Sequence, residues 1–221
     1  MVEDYLSDRE QEEALRSWWR ENWRWVIGGV VLGLAGLGGW QYWQQRTQAN
    51  AEQAAKLYGD LTGALSSHDA DKAKQLMKEL DDDYGSSPYA DLGHLALAQD
   101  RADAQQFAQA ADELHAVMHS KDTSLAEIAQ LRLARVQLQL GHPDEALALL
   151  DVDKAGAFAT QVGELRGDAL LAKGDRSGAQ LAYQSAMNAG EQDDRDATEL
   201  LHLKLQALSD AESDVKPAAA Q

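Results

Sequence analysis

Apolar residues follow two patterns along this chain. From Val26 to Gly39 the run VIGGVVLGLAGLGG has no polar side chain, and Trp23, Trp25, Trp40 and Trp43 bracket it. Elsewhere apolar positions recur every three or four residues, the spacing of one helix face. The first pattern predicts a transmembrane helix over 25–43. The strict run from Trp25 to Trp40 covers about 24 Å as helix and Trp23 to Trp43 about 31 Å, against a hydrocarbon core of about 30 Å. Aromatic residues at both ends suit two membrane interfaces, and Arg24 can reach water from a helix end. A buried soluble helix is the alternative, but the six glycines of the run would weaken it in water without return. Gly29 and Gly33 form G-x-x-x-G, a spacing that packs one span against another. Arg9, Arg16, Arg20 and Arg24 precede the run and only Arg46 and Lys56 follow closely, so the N-terminus is expected in the cytoplasm. Ala49-Asn50-Ala51 resembles a signal-cleavage site. A long acidic segment precedes the run, however, and Trp43 and Arg46 occupy the cleavage region, which favours a retained anchor.

The second pattern predicts an all-α chain. Residues 1–24 read as an acidic helix, with Ser7 and Glu10 as a capping box. Helices are expected to about Leu65, over 72–80, 88–103, 106–119, 124–140, 143–150, 160–173, 175–189 and 193–208. Asp81 to Asp83 read as a solvated acidic loop before Gly85, and 209–221 as a disordered tail. Ser87 and Pro88 open one helix, Pro143 another. Gly141, Gly174 and Gly190 fall where left-handed caps belong.

A repeat runs through these helices. Ala134, Leu138, Gly141, Ala146 and Leu150 each lie 33 residues before Gly167, Leu171, Gly174, Ala179 and Tyr183. A weaker copy places Ala98, Ala110 and Leu114 another 36 residues upstream, with Gln105 where the turn glycine should be. Small residues let paired helices approach, and the glycine turns the chain. This is the tetratricopeptide pattern, which needs about three stacked units for stability. The domain is expected over 44–208, with the pair at 47–83 as a further, non-standard unit.

Composition narrows the function. With 37 acidic residues against 20 Lys plus Arg, the formal charge is −17, which argues against nucleic acid. The absence of cysteine removes disulfides, thiolate catalysis and Cys-bound zinc. No nucleophile elbow, P-loop or zinc-protease motif occurs. His115 and His119 share a predicted helix face with Asp112, as metal ligands could, but no fourth ligand is apparent. His68, His94, His142 and His202 stand alone. Neither an enzyme nor a metal or cofactor is expected. The remaining candidates lie on first helices of the repeats, which line the concave face: Arg132, Arg135 and Gln139, then Glu164 and Asp168. They form either a polar groove for an extended partner segment or an internal pair, since Arg135 and Asp168 occupy equivalent positions.

The strings LRLARVQLQLG (131–141) and LRGDALLAKGD (165–175), behind a glycine-rich run ending GWQYW (39–43), resemble the YfgM family. The likeness covers most of the chain and weakens over 44–87 and after 208. It implies an inner-membrane protein with a periplasmic tetratricopeptide-like domain that assists the SecYEG translocon. It also implies a PpiD-like periplasmic chaperone as partner, a chaperone-like role toward newly translocated proteins, and a link to the stress regulator RcsB. The residues alone also admit a scaffold for another envelope-assembly complex, or an anchor whose acidic segment regulates a cytoplasmic factor.

Overall fold

The computed structural model describes residues 3–152, 155–189 and 195–215. Its helices are α1 (Glu3–Ser66), α2 (Ala70–Tyr84), α3 (Pro88–Asp103), α4 (Phe107–Val117), α5 (Thr123–Gln139), α6 (Pro143–Leu149), α7 (Ala159–Ala172), α8 (Arg176–Ala189) and α9 (Arg195–Val215), with a 3-10 turn at Gly156–Phe158 before α7. The all-α expectation holds among the described residues. Residues up to Gln53 make one compact unit and those from Ala54 another.

In the first unit, α1 is unbroken. It starts before Ser7, so the expected capping box does not mark a helix start. Its large apolar side chains are exposed, Trp25 at 83% and Leu32 at 74%. A Cβ added at any glycine between Gly28 and Gly39 would meet nothing. Among the described residues no helix is long and apolar enough to cross a membrane. The span expected over 25–43 therefore lacks the sustained apolarity of a typical one. Its strictly apolar stretch is short, is six glycines in part, and ends at Arg24–Trp25 and Trp40–Gln41.

The second unit is a stack of helical hairpins. Four turns have the same geometry. His68, Gln105, Gly141 and Gly174 all take positive φ, at 56°, 59°, 79° and 83°. At each, the turn residue's N–H donates three residues back and the next N–H donates five back, as in Asp69 to the Ala64 carbonyl and Asp175 to that of Leu170. This is the Schellman arrangement that satisfies the last carbonyls of a helix. Only two of the four carry the glycine that such a backbone favours. The turn before α2 is thus built like the rest, although His68 stands where a glycine would be favoured.

Counting from each turn exposes the repeat. Five residues on lie Ala73, Ala110, Ala146 and Ala179, none more than 1% exposed. Nine on lie Met77, Leu114, Leu150 and Tyr183, all buried. Seven before lie Leu61, Ala98, Ala134 and Gly167. The alanines let the second helix sit close to the first, and the larger residues fill the next layer. At Gly167 a Cβ would strike the Tyr183 ring, so the largest side chain of the column faces the smallest of the other.

The third hairpin departs from the pattern. Its second helix, α6, stops after seven residues. Gln130 Nε2 donates to the Leu149 carbonyl, and Arg166 Nη1 donates to that of Leu150 at 2.8 Å. Those side chains satisfy carbonyls that a longer helix would have bonded internally. Two further expectations change. Asp81 to Asp83 form the last turn of α2 rather than a loop, and Lys78 pairs with Asp82 one turn away. α9 continues to Val215, because no proline or glycine interrupts the chain before Pro217. Gly190 and 216–221 lie outside the described residues.

Candidate functional site

The candidate residues on the first helices separate into two groups. Arg132, Arg135 and Gln139 project from successive turns of α5 and are exposed. They line a cleft of about 330 Å³ with Ala102 of α3, Phe107 of α4 and Val136 of α5. Buried Leu114 also lines the cleft, so its inner surface is apolar and its edge cationic. Among the described residues neither arginine makes an ion pair. On the rim, Gln99 Nε2 donates to Asp103 Oδ1 at 2.9 Å.

Glu164 and Asp168 lie elsewhere and are already engaged. Lys204 of α9 places Nζ 2.7 Å from Glu164 Oε1 and 2.7 and 2.8 Å from the two Asp168 oxygens. Tyr183 donates its hydroxyl to Asp168 Oδ1 at 2.6 Å. Burial and then the adjacent Asp168 carboxylate push the Tyr183 pKa well up, so the phenol keeps its proton and remains a donor. The Lys204 ammonium also sits 5.5 Å from the centre of the Tyr183 ring, within cation–π range. The pair expected between Arg135 and Asp168 does not form. Equivalent positions predicted adjacency, but Lys204 of α9 engages Asp168, and Arg135 lines the α3–α5 cleft.

His94, expected to stand alone, does not. It lies on α3 with only 18% of its side chain exposed, Nδ1 2.7 Å from Glu113 Oε2 on α4 and Nε2 3.1 Å from Asp81 Oδ1 on α2. Burial pulls its pKa down, but the Glu113 and Asp81 carboxylates outweigh it and the net shift is upward. The His94 ring thus ties three helices together. His115 and His119 do not keep their expected spacing on one helix, because α4 ends at Val117. Among the described residues no three His, Cys, Asp or Glu side chains could hold a metal ion. Gly29 and Gly33 face open space in the first unit.

What these sites share is a scaffold. Stacked hairpins present side chains for contact. A family model described as a tetratricopeptide repeat-like domain matches residues 16–210. The chain is 35% identical over 216 residues to a protein of Escherichia coli (strain K12) named ancillary SecYEG translocon subunit, covering 94% of this chain and 100% of that one. A Haemophilus influenzae protein of the same name is 33% identical, over 85% of this chain and 93% of its own length. An Aggregatibacter actinomycetemcomitans protein of that name is 34% identical over 84% of this chain and 92% of its own. With a repeat-like fold matched over nearly its whole length and relatives aligned from end to end, the chain belongs to the YfgM family.

Proposed function

We propose that the chain is an accessory subunit of the Sec translocon, anchored in the inner membrane by residues 25–43. Residues 1–24 lie in the cytoplasm, and the repeat domain over 44–208 lies in the periplasm. There it acts as a chaperone-like scaffold for newly translocated proteins, beside a PpiD-like chaperone, with RcsB as a further partner on the cytoplasmic side. The observation that carries this reading is the exposed sleeve of Trp25, Leu32, Leu34, Leu37 and Trp40. So large a run of uncovered apolar side chains needs a non-aqueous surround or a partner. Glycine and tryptophan lower the average apolarity of this segment, yet spans accept glycine readily and interfaces select tryptophan. The free face at Gly29 and Gly33 is where a neighbouring span would pack. The translocon assignment draws on the names of the relatives.

Anchoring gives the mechanism its force. A groove confined near the exit of a channel meets emerging segments at a raised effective concentration. The test is crosslinking in living cells followed by mass spectrometry, comparing the full chain with residues 47–221 exported on a cleavable signal. Translocon subunits should be captured with the full chain and depleted severalfold with 47–221. Capture of a different envelope complex, without translocon subunits, would refute the assignment.

A further inference from the structure

The stretch of α1 just before the glycine-rich run repeats a two-residue step. Trp19-Arg20 is followed four residues on by Trp23-Arg24. About one helical turn separates the two steps, so the arginines share one strip of the helix and the tryptophans the strip beside it. Arg16 extends the cationic strip by a further turn. All these side chains are exposed, Trp19 at 49% and Trp23 at 43%. Between Ala14 and Ile27 the arginines face a single acid, Glu21, in a chain of net charge −17. Glu21 lies about 100° around the helix from Arg20 and about 60° from Arg24. Among the described residues Arg20 makes no ion pair, Arg16 meets the exposed Glu12 at 3.5 Å, and Arg24 lies 5.8 Å from the centre of the Trp23 ring. The neutral polar side chains here bond back to their own helix, Ser17 Oγ to the Ala14 carbonyl at 2.9 Å and Asn22 Nδ2 to that of Trp18 at 2.8 Å. The arginines are therefore the donors that this stretch offers outward.

Resting on the reading of residues 25–43 as a membrane span, we propose that Arg20 and Arg24, flanked by Trp19 and Trp23, bind the phosphate of an anionic phospholipid. Depth sets the site. Headgroups add about 5–8 Å to each side of the hydrocarbon core. Arg24 stands at the edge of the span and Arg20 about 6 Å beyond it, so both reach the headgroup layer, whereas Arg16, about 12 Å out, lies past it. Each guanidinium presents paired N–H donors in the planar fork that fits a phosphate. The indoles take the interface beside it, with the apolar body toward the acyl chains and the N–H toward the headgroups. Charge then selects the lipid. A zwitterionic headgroup brings its own ammonium to the arginines, whereas an anionic one brings uncompensated negative charge. The far end of the span has no such step. Trp40 and Trp43 are each followed by a glutamine, and Arg46 is the one cation before Lys56. The site thus belongs to the leaflet on the N-terminal side.

The test uses tryptophan fluorescence of the full chain in bilayers that mix phosphatidylcholine with phosphatidylglycerol, one of the two brominated in its acyl chains. Every tryptophan of the chain lies between Trp18 and Trp43, so the emission reports on this region. A Trp40→Phe/Trp43→Phe background confines it to the N-terminal end. Brominated phosphatidylglycerol should quench as a lipid bound about fivefold more tightly than phosphatidylcholine, the scale of one basic residue at an anionic surface. In the Arg20→Gln/Arg24→Gln variant that ratio should fall to near one, while brominated phosphatidylcholine still quenches and so shows that the variant is inserted. Excess inorganic phosphate should leave the ratio unchanged. Equal quenching by the two lipids in the unaltered arginine background would overturn the proposal. A preference that survives in the double variant, or one abolished by free phosphate, would also overturn it. Failure of the underlying reading looks different: a chain that does not enter the bilayer is quenched by neither lipid, which removes the span and the site with it.

Discussion

Trp25 and Leu61 belong to one helix and have opposite surroundings. Trp25 is 83% exposed, while Leu61 is 0% exposed and packs with Ala73, Met77, Leu80 and Leu97. The apolar residues of α1 after Ala54 find their partners within the chain. Those around the glycine-rich run are exposed among the described residues. Helix formation alone therefore does not separate the two regions, since both are helical. What separates them is whether the chain supplies a second surface. The repeat unit supplies it by stacking hairpins, whereas the apolar side chains around the glycine-rich run stay exposed.

The sharpest way to break the comparison is a matched pair of truncations. Leu61→Ala opens a hole between α1, α2 and α3, where Gly93 lies so close to Met77 and Leu61 that an added Cβ would come within 2.8 Å of Met77 Sδ and 3.2 Å of Leu61 Cδ2. It should cost about 2–5 kcal/mol of repeat-domain stability, read as a lowered midpoint in urea. Leu34→Ala, the same chemical change at an exposed site, should leave that midpoint within about 0.5 kcal/mol. Similar losses from the two would mean that the sleeve is packed against the repeats.

The next effect comes from the C-terminal closure. Lys204→Ala removes the cation between Glu164 and Asp168, whose side chains are 19% and 31% exposed. Two part-buried carboxylates left facing one another should cost about 1–3 kcal/mol, read by loss of hydrogen-exchange protection in α9. Arg135→Ala, on the open cleft, should cost less than about 0.5 kcal/mol. If the two variants behaved alike, the division of the first-helix residues into a closed pair and an open cleft would fail.

His94 adds a smaller, pH-dependent contribution. Its folded pKa lies above the ordinary value, so the folded state holds the proton more tightly. The stabilisation is complete below about pH 6.5, the ordinary value, and is lost as pH rises through the folded pKa. Unfolding curves at stepped pH should show this loss in the unaltered chain and a flatter profile in His94→Gln. The smallest effect should be a gain. Gln105→Gly relieves a side chain held at φ 59° and should stabilise by up to about 1 kcal/mol, checked by the thermal midpoint. Gly141→Gln at the equivalent turn should do the reverse.

How much of this could be read in the sequence depends on what kind of signal each feature leaves. The hairpins at Gly141 and Gly174 announce themselves, because a positive φ selects glycine. Those at His68 and Gln105 have the same backbone and no such signal, so the first looked non-standard and the second degenerate. The candidate residues on α5 were readable from repeat register. The engagement of Glu164 and Asp168 was not, since Lys204 lies 36 residues and more downstream, beyond the last repeat. His94 meets Asp81 and Glu113 at separations of 13 and 19 residues. Those are set by how hairpins stack and match no helical or strand period. The glycine-rich run shows the opposite limit. Its pattern is plain in the sequence, and its apolar side chains stay exposed in the structure.

The central claim is that residues 25–43 cross a membrane and separate two compartments. The chain has no cysteine, so single cysteines can report on sides without interference. Ser17→Cys and Lys121→Cys variants, both at exposed positions, would be treated in cells with permeabilised outer membranes with a membrane-impermeant maleimide. The account predicts labelling of the Lys121→Cys variant at once, and of the Ser17→Cys variant only after the inner membrane is broken. Equal labelling of the two before lysis, or equal protection, would contradict it.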